Sequence, residues 1–322
     1  MFANCINLEK AVLPDTLSQI SQGLFQGCLR LKEVHYPSRL TTIEKNAFYG
    51  CTSLAEAILP DTVTTIKTNA FQSCTDLKRA SLPPNLLFLE AGVFKGCRNL
   101  TDIEIRGQLK QIGASAFENC QSLKSCILPD SVSAIGPSAF KGCCSLKSFI
   151  FPREVKIVDS SVFDSCSSLQ EVSLSEKTTA IRTGAFSSCL SLQSISLPSG
   201  LTSIGAYAFE NCFLLDHVKL PDRITSVEAY SFRNCKSLRD FSFGNQIGLL
   251  NRRSFEGCSA LTEITLPSSI TKVASDVFTD CCNLTRLLIL KPKNSLSGAP
   301  WNAPNQGLIV RWAPYSKGGE SR

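Results

Sequence analysis

Apolar and polar positions recur along this chain in blocks of 23 residues, without slippage, from residue 2 to about residue 290. The register is marked by cysteine. Thirteen cysteines, from Cys5, Cys28 and Cys51 through to Cys258 and Cys281, stand 23 residues apart. A phenylalanine stands three residues before each, from Phe2 to Phe278, and a leucine three residues after each, from Leu8 to Leu284. Three columns held in register over so many periods are not a chance pattern. A fixed period in this range predicts a solenoid, in which one coil cannot bury its apolar face alone and stacks on its neighbours.

With cysteine as position zero, position 6 is apolar in most repeats (Val34, Ala57, Ile103, Phe149) and position 8 is too (Leu59, Leu82, Ile105, Phe151). Alternation of period two places these side chains on one buried face of a short strand. Leu-x-x-apolar-x-Leu is the strand segment of a leucine-rich repeat, whose period includes 23. Proline follows at position 9 in many repeats, as in Pro60, Pro129 and Pro198. It lacks the N–H that a ladder needs, so the strand is expected to end there. Two spaced aliphatic residues, such as Val132 and Ile135, then pin the crossover. Small–Phe–x–x–Cys–x–x–Leu spaces apolar groups three apart, which predicts one or two turns of α or 3₁₀ helix.

Residues 128–146 carry Leu128, Pro129, Val132, Ile135, Gly136, Ala139, Phe140, Cys143 and Leu146 at fixed places. That pattern resembles the BspA-like class of leucine-rich repeats. The resemblance covers roughly residues 1–290, although repeats at Arg106, Ser175 and Gly244 lack the proline. It implies an α/β fold: a right-handed leucine-rich-repeat solenoid with a parallel sheet on the concave side and short helical turns on the convex side. It also implies adhesion or protein binding and no catalysis, with a place on the cell surface or in secretion.

A chain of 322 residues would suggest two domains on length alone, but stacked coils share one continuous core. The expected organisation is a thirteen-coil array over residues 1–290 and a capping segment and tail over residues 291–322. Both tryptophans, Trp301 and Trp312, fall in that tail. The chain starts inside a repeat with no polar cap before it, so residues that normally precede Met1 are expected to be absent from this sequence, which itself shows no signal peptide; one upstream of Met1 would decide the location. If Met1 is the true start, the location expected is cytoplasmic. No run of 18 uncharged apolar residues predicts a membrane span. The net charge of +6 is scattered, so nucleic acid is not an expected partner.

Candidate chemistry is sparse. Sixteen cysteines admit disulfides or metal, yet no Cys-x₂-Cys pair occurs, and a single column in an apolar context suits buried, reduced thiols acting as small hydrophobes. His35 and His217 are eight repeats apart. No catalytic motif appears, and neither cofactor nor metal is expected. Acidic residues at position 5, such as Glu56 and Glu171, read as soluble groups on the outward strand face. On that same face Arg79, Asp102 and Glu104 lie beside the apolar Ile127 and Ile150, which is the composition of a protein-binding patch. The function expected is a non-catalytic binding module on a monomer, recognising a protein ligand or a host or surface macromolecule, as in a cell-surface adhesin. The alternative is an intracellular scaffold or effector of the same fold.

Overall fold

A computed structural model describes residues 2–293 and 295–313. These form a stack of parallel β coils. Each typical coil gives one strand at positions 5–7, as in Glu33–His35, Glu56–Ile58, Arg79–Leu82 and Asp102–Ile105. It gives a second, two-residue strand at positions 14–15, as in Thr42–Ile43 and Thr65–Ile66. Pairing is parallel and offset by one repeat: Glu56 faces Arg79, and Arg79 faces Asp102. The alternation read from sequence sets the faces. Ala57 and Leu59 are buried, while Glu56 and Ile58 point outward. The proline then turns the chain, with the Val63 N–H donating to the Pro60 carbonyl at 3.1 Å. Val63 and Ile66 are fully buried, and the crossover they pin is itself the second ladder.

The phenylalanine column is a continuous stack. Phe48 lies 5.0 Å from Phe71, and Phe117 lies 5.7 Å from Phe94 and 5.3 Å from Phe140, with rings nearly parallel. The stack ends on Trp301, which stands one repeat after Phe278, is fully buried, and donates its indole N–H to the Ser297 carbonyl at 2.8 Å. Ile309–Trp312 pairs with Arg286–Ile289 at the same offset. The repeat register therefore runs on through the segment after residue 290, with Trp301 in the phenylalanine place. Of the expected tail, residues 314–322 lie outside the described residues.

The expected helical turns are absent: among the described residues there is no α or 3₁₀ helix. The reason is local. In residues 46–51 the N–H groups of Ala47, Tyr49 and Cys51 bond within the coil, to the carbonyls of Glu44, Asn46 and Phe48. The intervening N–H groups of Asn46, Phe48 and Gly50 bond to Thr68, Ala70 and Gln72 of the next coil. Alternate donors can point outward only if residues with positive φ are interleaved. Asn46 (φ 57°) and Gly50 (φ 71°) supply them. A helix needs every φ negative. The position before each cysteine is correspondingly Gly, Asn, Ser or Asp throughout (Gly50, Ser73, Asn119, Asp280), and these are the residues that reach φ > 0 at least cost or recur in turns.

The cysteine column is a third bonding element. The Phe48 carbonyl accepts the Cys51 N–H at 3.1 Å and also the thiol of Cys74, in the next coil, at 3.2 Å. The same thiol-to-phenylalanine bond recurs from Cys28 to Cys281. All cysteines of the chain are free; thirteen are buried, Cys144 is half-buried, and Cys5 and Cys282 are exposed. Cys5 thus departs from the expectation for the column, because no coil covers it in the described structure. Burial pushes Cys51, Cys97 and Cys281 up to about 12, with bonds to or from the neighbouring coil only partly opposing it.

Two outcomes follow. Native thiol titration should find three reactive groups, Cys5, Cys144 and Cys282, and denatured protein sixteen. A folded thiol with raised pKa binds its proton more tightly than an unfolded one, so stability is intact below about pH 9 and falls above it, by roughly 1.4 kcal/mol per buried thiol per pH unit. Thiolate absorbance and loss of circular dichroism should therefore rise together between about pH 9 and 12; thiols that ionise one by one in a folded chain would contradict this. Separately, Phe117→Ala should cost about 3–5 kcal/mol in a denaturant melt, because the vacated ring space lies between two stacked neighbours.

Candidate binding face

Arg79, Asp102, Glu104, Ile127 and Ile150 come from four successive coils and lie on one strand face, as their shared positions 5 and 7 require. Arg79 and Asp102 are direct cross-strand neighbours. The nearest carboxylate to the Arg79 guanidinium is nevertheless Glu56, at 3.8 Å, one coil the other way. Glu104 accepts a hydrogen bond from the Ser81 hydroxyl at 2.8 Å. Ile127 is 86% exposed and Ile150 73%, with Ile58 a further exposed apolar group two coils before Glu104. Large aliphatic side chains this far in water on an ordered scaffold are unusual and mark interaction surfaces when charges surround them.

Two features of this region are not legible in the patterning. Residues 125–128 pair with neither neighbour: the sheet that contains Asp102–Ile105 ends there, and the next begins at Ser148–Ile150. A cavity of about 470 Å³ opens beside this interruption, lined by Ile58, Arg79, Ser81, Asp102, Glu104 and Ile127. The second feature is Arg106, where most repeats have proline. Its guanidinium pairs with Asp61 at 2.7 Å and donates to the Leu59 carbonyl at 3.2 Å, two coils upstream. The missing proline was visible in the sequence; the reach of its replacement across two coils was not.

A second interruption falls at residues 194–197, where a cavity of about 540 Å³ is lined by Ser194, Ser196, His217, Lys219 and Asp222. It is the larger of the two, and its apolar lining comes from Ile195, Leu197, Leu220 and Pro221 and not from outward aliphatic side chains like Ile58 and Ile127. His217 Nδ1 is hydrogen-bonded to its chain neighbour Asp216. His35 is far along the array. The acidic column at position 5 is solvent-exposed, with Glu33 and Glu263 paired to Lys10 and Arg286. Among the described residues no group of three His, Cys, Asp or Glu side chains is placed to hold a metal ion. No helix of the described residues is long and apolar enough to cross a membrane.

The family model described as BspA type leucine rich repeat region matches residues 1–121, 88–214 and 179–299. The chain belongs to the BspA-type leucine-rich repeat family. Proteins of this repeat class are typically non-catalytic solenoids. Among solved structures, a leucine-rich repeat protein from Bacteroides ovatus matches with a TM-score of 0.53 and 22% identity, over 95% of this chain and 92% of the other. The pneumococcal vaccine antigen PcpA matches with a TM-score of 0.57 and 19% identity, over 95% and 89%. A leucine rich cell surface protein from Faecalibacterium prausnitzii matches with a TM-score of 0.46 and 25% identity, over 96% and 89%. No curated protein matches the sequence significantly.

Arg106→Ala should destabilise the protein by about 1–2 kcal/mol, since it removes a charge-assisted bond to a backbone carbonyl and a partly exposed ion pair. Hydrogen exchange should quicken in the coils around Leu59 and Leu82 and not in distant coils. Uniform protection would show that the two-coil reach carries no load.

Proposed function

We propose that this BspA-type repeat protein is a non-catalytic recognition module, whose strand face around Arg79, Asp102, Glu104, Ile127 and Ile150 binds a protein or surface macromolecule, as part of a cell-surface adhesin. The observation that carries this reading is Ile127. It is the most exposed large hydrophobe of the described chain, it borders the cavity beside the interrupted sheet, and charges of both signs flank it. On such a surface the isoleucines supply desolvated contact, while the charges set orientation and encounter rate. The naming of a similar fold as a vaccine antigen supports presentation at a surface. Residues 291–313, which close the stack through Trp301, are read as the C-terminal cap.

One observation favours the alternative, an intracellular scaffold or effector. Thirteen buried thiols kept protonated are at home in a reducing compartment. Burial of all thirteen, and thiol-to-carbonyl bonding of the twelve in the column, also shield them from oxidants, so they do not decide against the surface.

Immobilised wild-type protein should be challenged with extracellular-matrix proteins and, in parallel, with cytosolic lysate. The double variant Arg79→Glu with Ile127→Asp serves as control. Both substitutions face solvent, so the fold should hold to within about 1 kcal/mol per site. Binding of an extracellular protein should weaken by about 2 kcal/mol, roughly thirtyfold in Kd. Equal binding by the folded double variant would remove the strand-face patch from consideration. Selective capture from the cytosolic lysate, sensitive to the same variant, would favour the scaffold.

A further inference from the structure

The opposite side of the solenoid carries a feature independent of the strand face. Five positions before the column cysteines from Cys28 to Cys258 the backbone is left-handed, and most coils fill that place with Gly, Asn or Ser: Gly23, Asn46, Asn69, Gly92, Ser115, Ser138, Ser161 and Gly184. Three successive coils break the rule. Tyr207 (φ 59°), Tyr230 (φ 60°) and Arg253 (φ 51°) hold bulky side chains in a conformation that L-residues of this size rarely adopt. The same coils bury the hydroxyls of Ser231 and Ser254, at places where Ala47, Ala70 and Ala116 sit in other coils, and neither hydroxyl has a partner. Local rules broken together, in one stretch of an otherwise regular array, point to function and not to stability.

The side chains form one construction. The Tyr207 and Tyr230 rings stack at 4.8 Å between centroids and 7° between planes. Guanidinium groups of Arg233 and Arg252 lie 5.6 and 5.4 Å from the Tyr230 ring centre. Tyr230 is thus occupied, with Tyr207 on one side and arginines against it. Tyr207 is 38% exposed, and the coil next to its other face has Gly184 at the matching place. A Cβ added to Gly184 would meet only Ser161 Oγ at 3.4 Å and Ser187 Cβ at 3.9 Å. The berth at Gly184 is unfilled, as in the coils before it, but here an aromatic face lies on one side and serines stand around it.

We propose that this berth binds a neutral sugar ring, a pyranose stacked by its C–H face on Tyr207 above Gly184. Aromatic rings offer a negative face to polarised C–H and N–H groups, and a flat apolar platform with hydroxyl neighbours suits a ligand that is apolar on one face and polar at its rim. Charge decides against an ionic ligand. Arg182 is paired with Asp159 at 3.0 Å, and Arg233 with Glu210 and Glu256 at 3.3 Å each. Arg253 is held by Asp276 at 3.2 Å. Arg252 lies against Tyr230, on the side away from the berth. Among the described residues, the arginines of these turns are thus engaged by carboxylates or by a ring, which disfavours a phosphate or carboxylate ligand.

Saturation-transfer NMR on the full chain tests this with methyl glycosides of glucose, galactose, mannose and N-acetylglucosamine, and with adenosine as an aromatic control. At least one glycoside should receive saturation on one ring face, at millimolar affinity. Tyr207→Asn keeps a residue that the column accepts at Asn46 and Asn69; it should fold, with melting temperature unchanged or raised, and lose the signal at least fivefold. Gly184→Asn, which fills the berth, should do the same. Absence of signal from all four glycosides, an adenosine signal that exceeds theirs, or glycoside binding unaltered in both folded variants would each overturn the assignment.

Discussion

The structure rests on a doubly used carbonyl. From Phe2 to Phe255 the phenylalanine backbone oxygen of each coil takes the N–H of the cysteine three residues on and the thiol of the cysteine one coil later. The oxygen is buried, so both lone pairs need partners that water cannot provide. Cysteine meets the need within the space available. It is small and apolar enough for a dry core, and its S–H is a donor, which alanine and valine lack. Serine would donate more strongly, but in the core it adds a hydroxyl that must be desolvated. The ring of the same phenylalanine stacks on its counterparts, so one residue per coil anchors packing through its side chain and bonding through its backbone.

This anchoring is uneven around the circumference. Inter-coil bonds of the turn side continue through every junction where the strands part, as at Phe117 to Ala139 and Phe186 to Ala208. The strand ladders do not. The sheet at positions 5–7 is broken at residues 125–128 and 194–197, and also between Glu33–His35 and Glu56–Ile58 and between Asp240–Ser242 and Glu263–Leu266; the second ladder runs on past the latter two but fails beside the first two, between Ala134–Ile135 and Ile157–Val158 and between Ser203–Ile204 and Ser226–Val227. The turn side acts as the spine, and the strand side has most slack at the two joints where both ladders fail. Repeat arrays unfold in units set by nearest-neighbour interfaces, and these joints are the weakest interfaces in hydrogen bonding. Both strand-face cavities open at them.

The sequence made the periodic part of this legible and missed what depends on backbone handedness. Inward and outward strand positions, the buried column and the phenylalanine stack follow from period-two alternation and the 23-residue spacing. The helical expectation failed because apolar groups three apart are shared by a helix and by a chain of alternating turns. The Gly, Asn, Ser and Asp residues before each cysteine separate the two, since left-handed residues at that density cannot continue a helix. At the candidate face, Ile127 and Ile150 were legible as outward apolar residues. The ladder break beside them was not, because residues 125–128 carry the same alternation as the strands that do pair. In the segment after residue 290, the place of Trp301 one repeat after Phe278 shows only when the register is counted past the last cysteine.

The thiol bond has a genetic corollary. Each thiol finds its carbonyl 26 residues back, one full coil plus one turn. Insert a single residue within the turn and that thiol faces the wrong atom, as do the outward N–H groups beside it. Insert 23 residues and every donor again meets an equivalent acceptor. Length in such a chain is therefore inherited in whole coils, by duplication or loss of 23-codon units, and a lineage can lengthen or shorten its recognition surface without designing a new core.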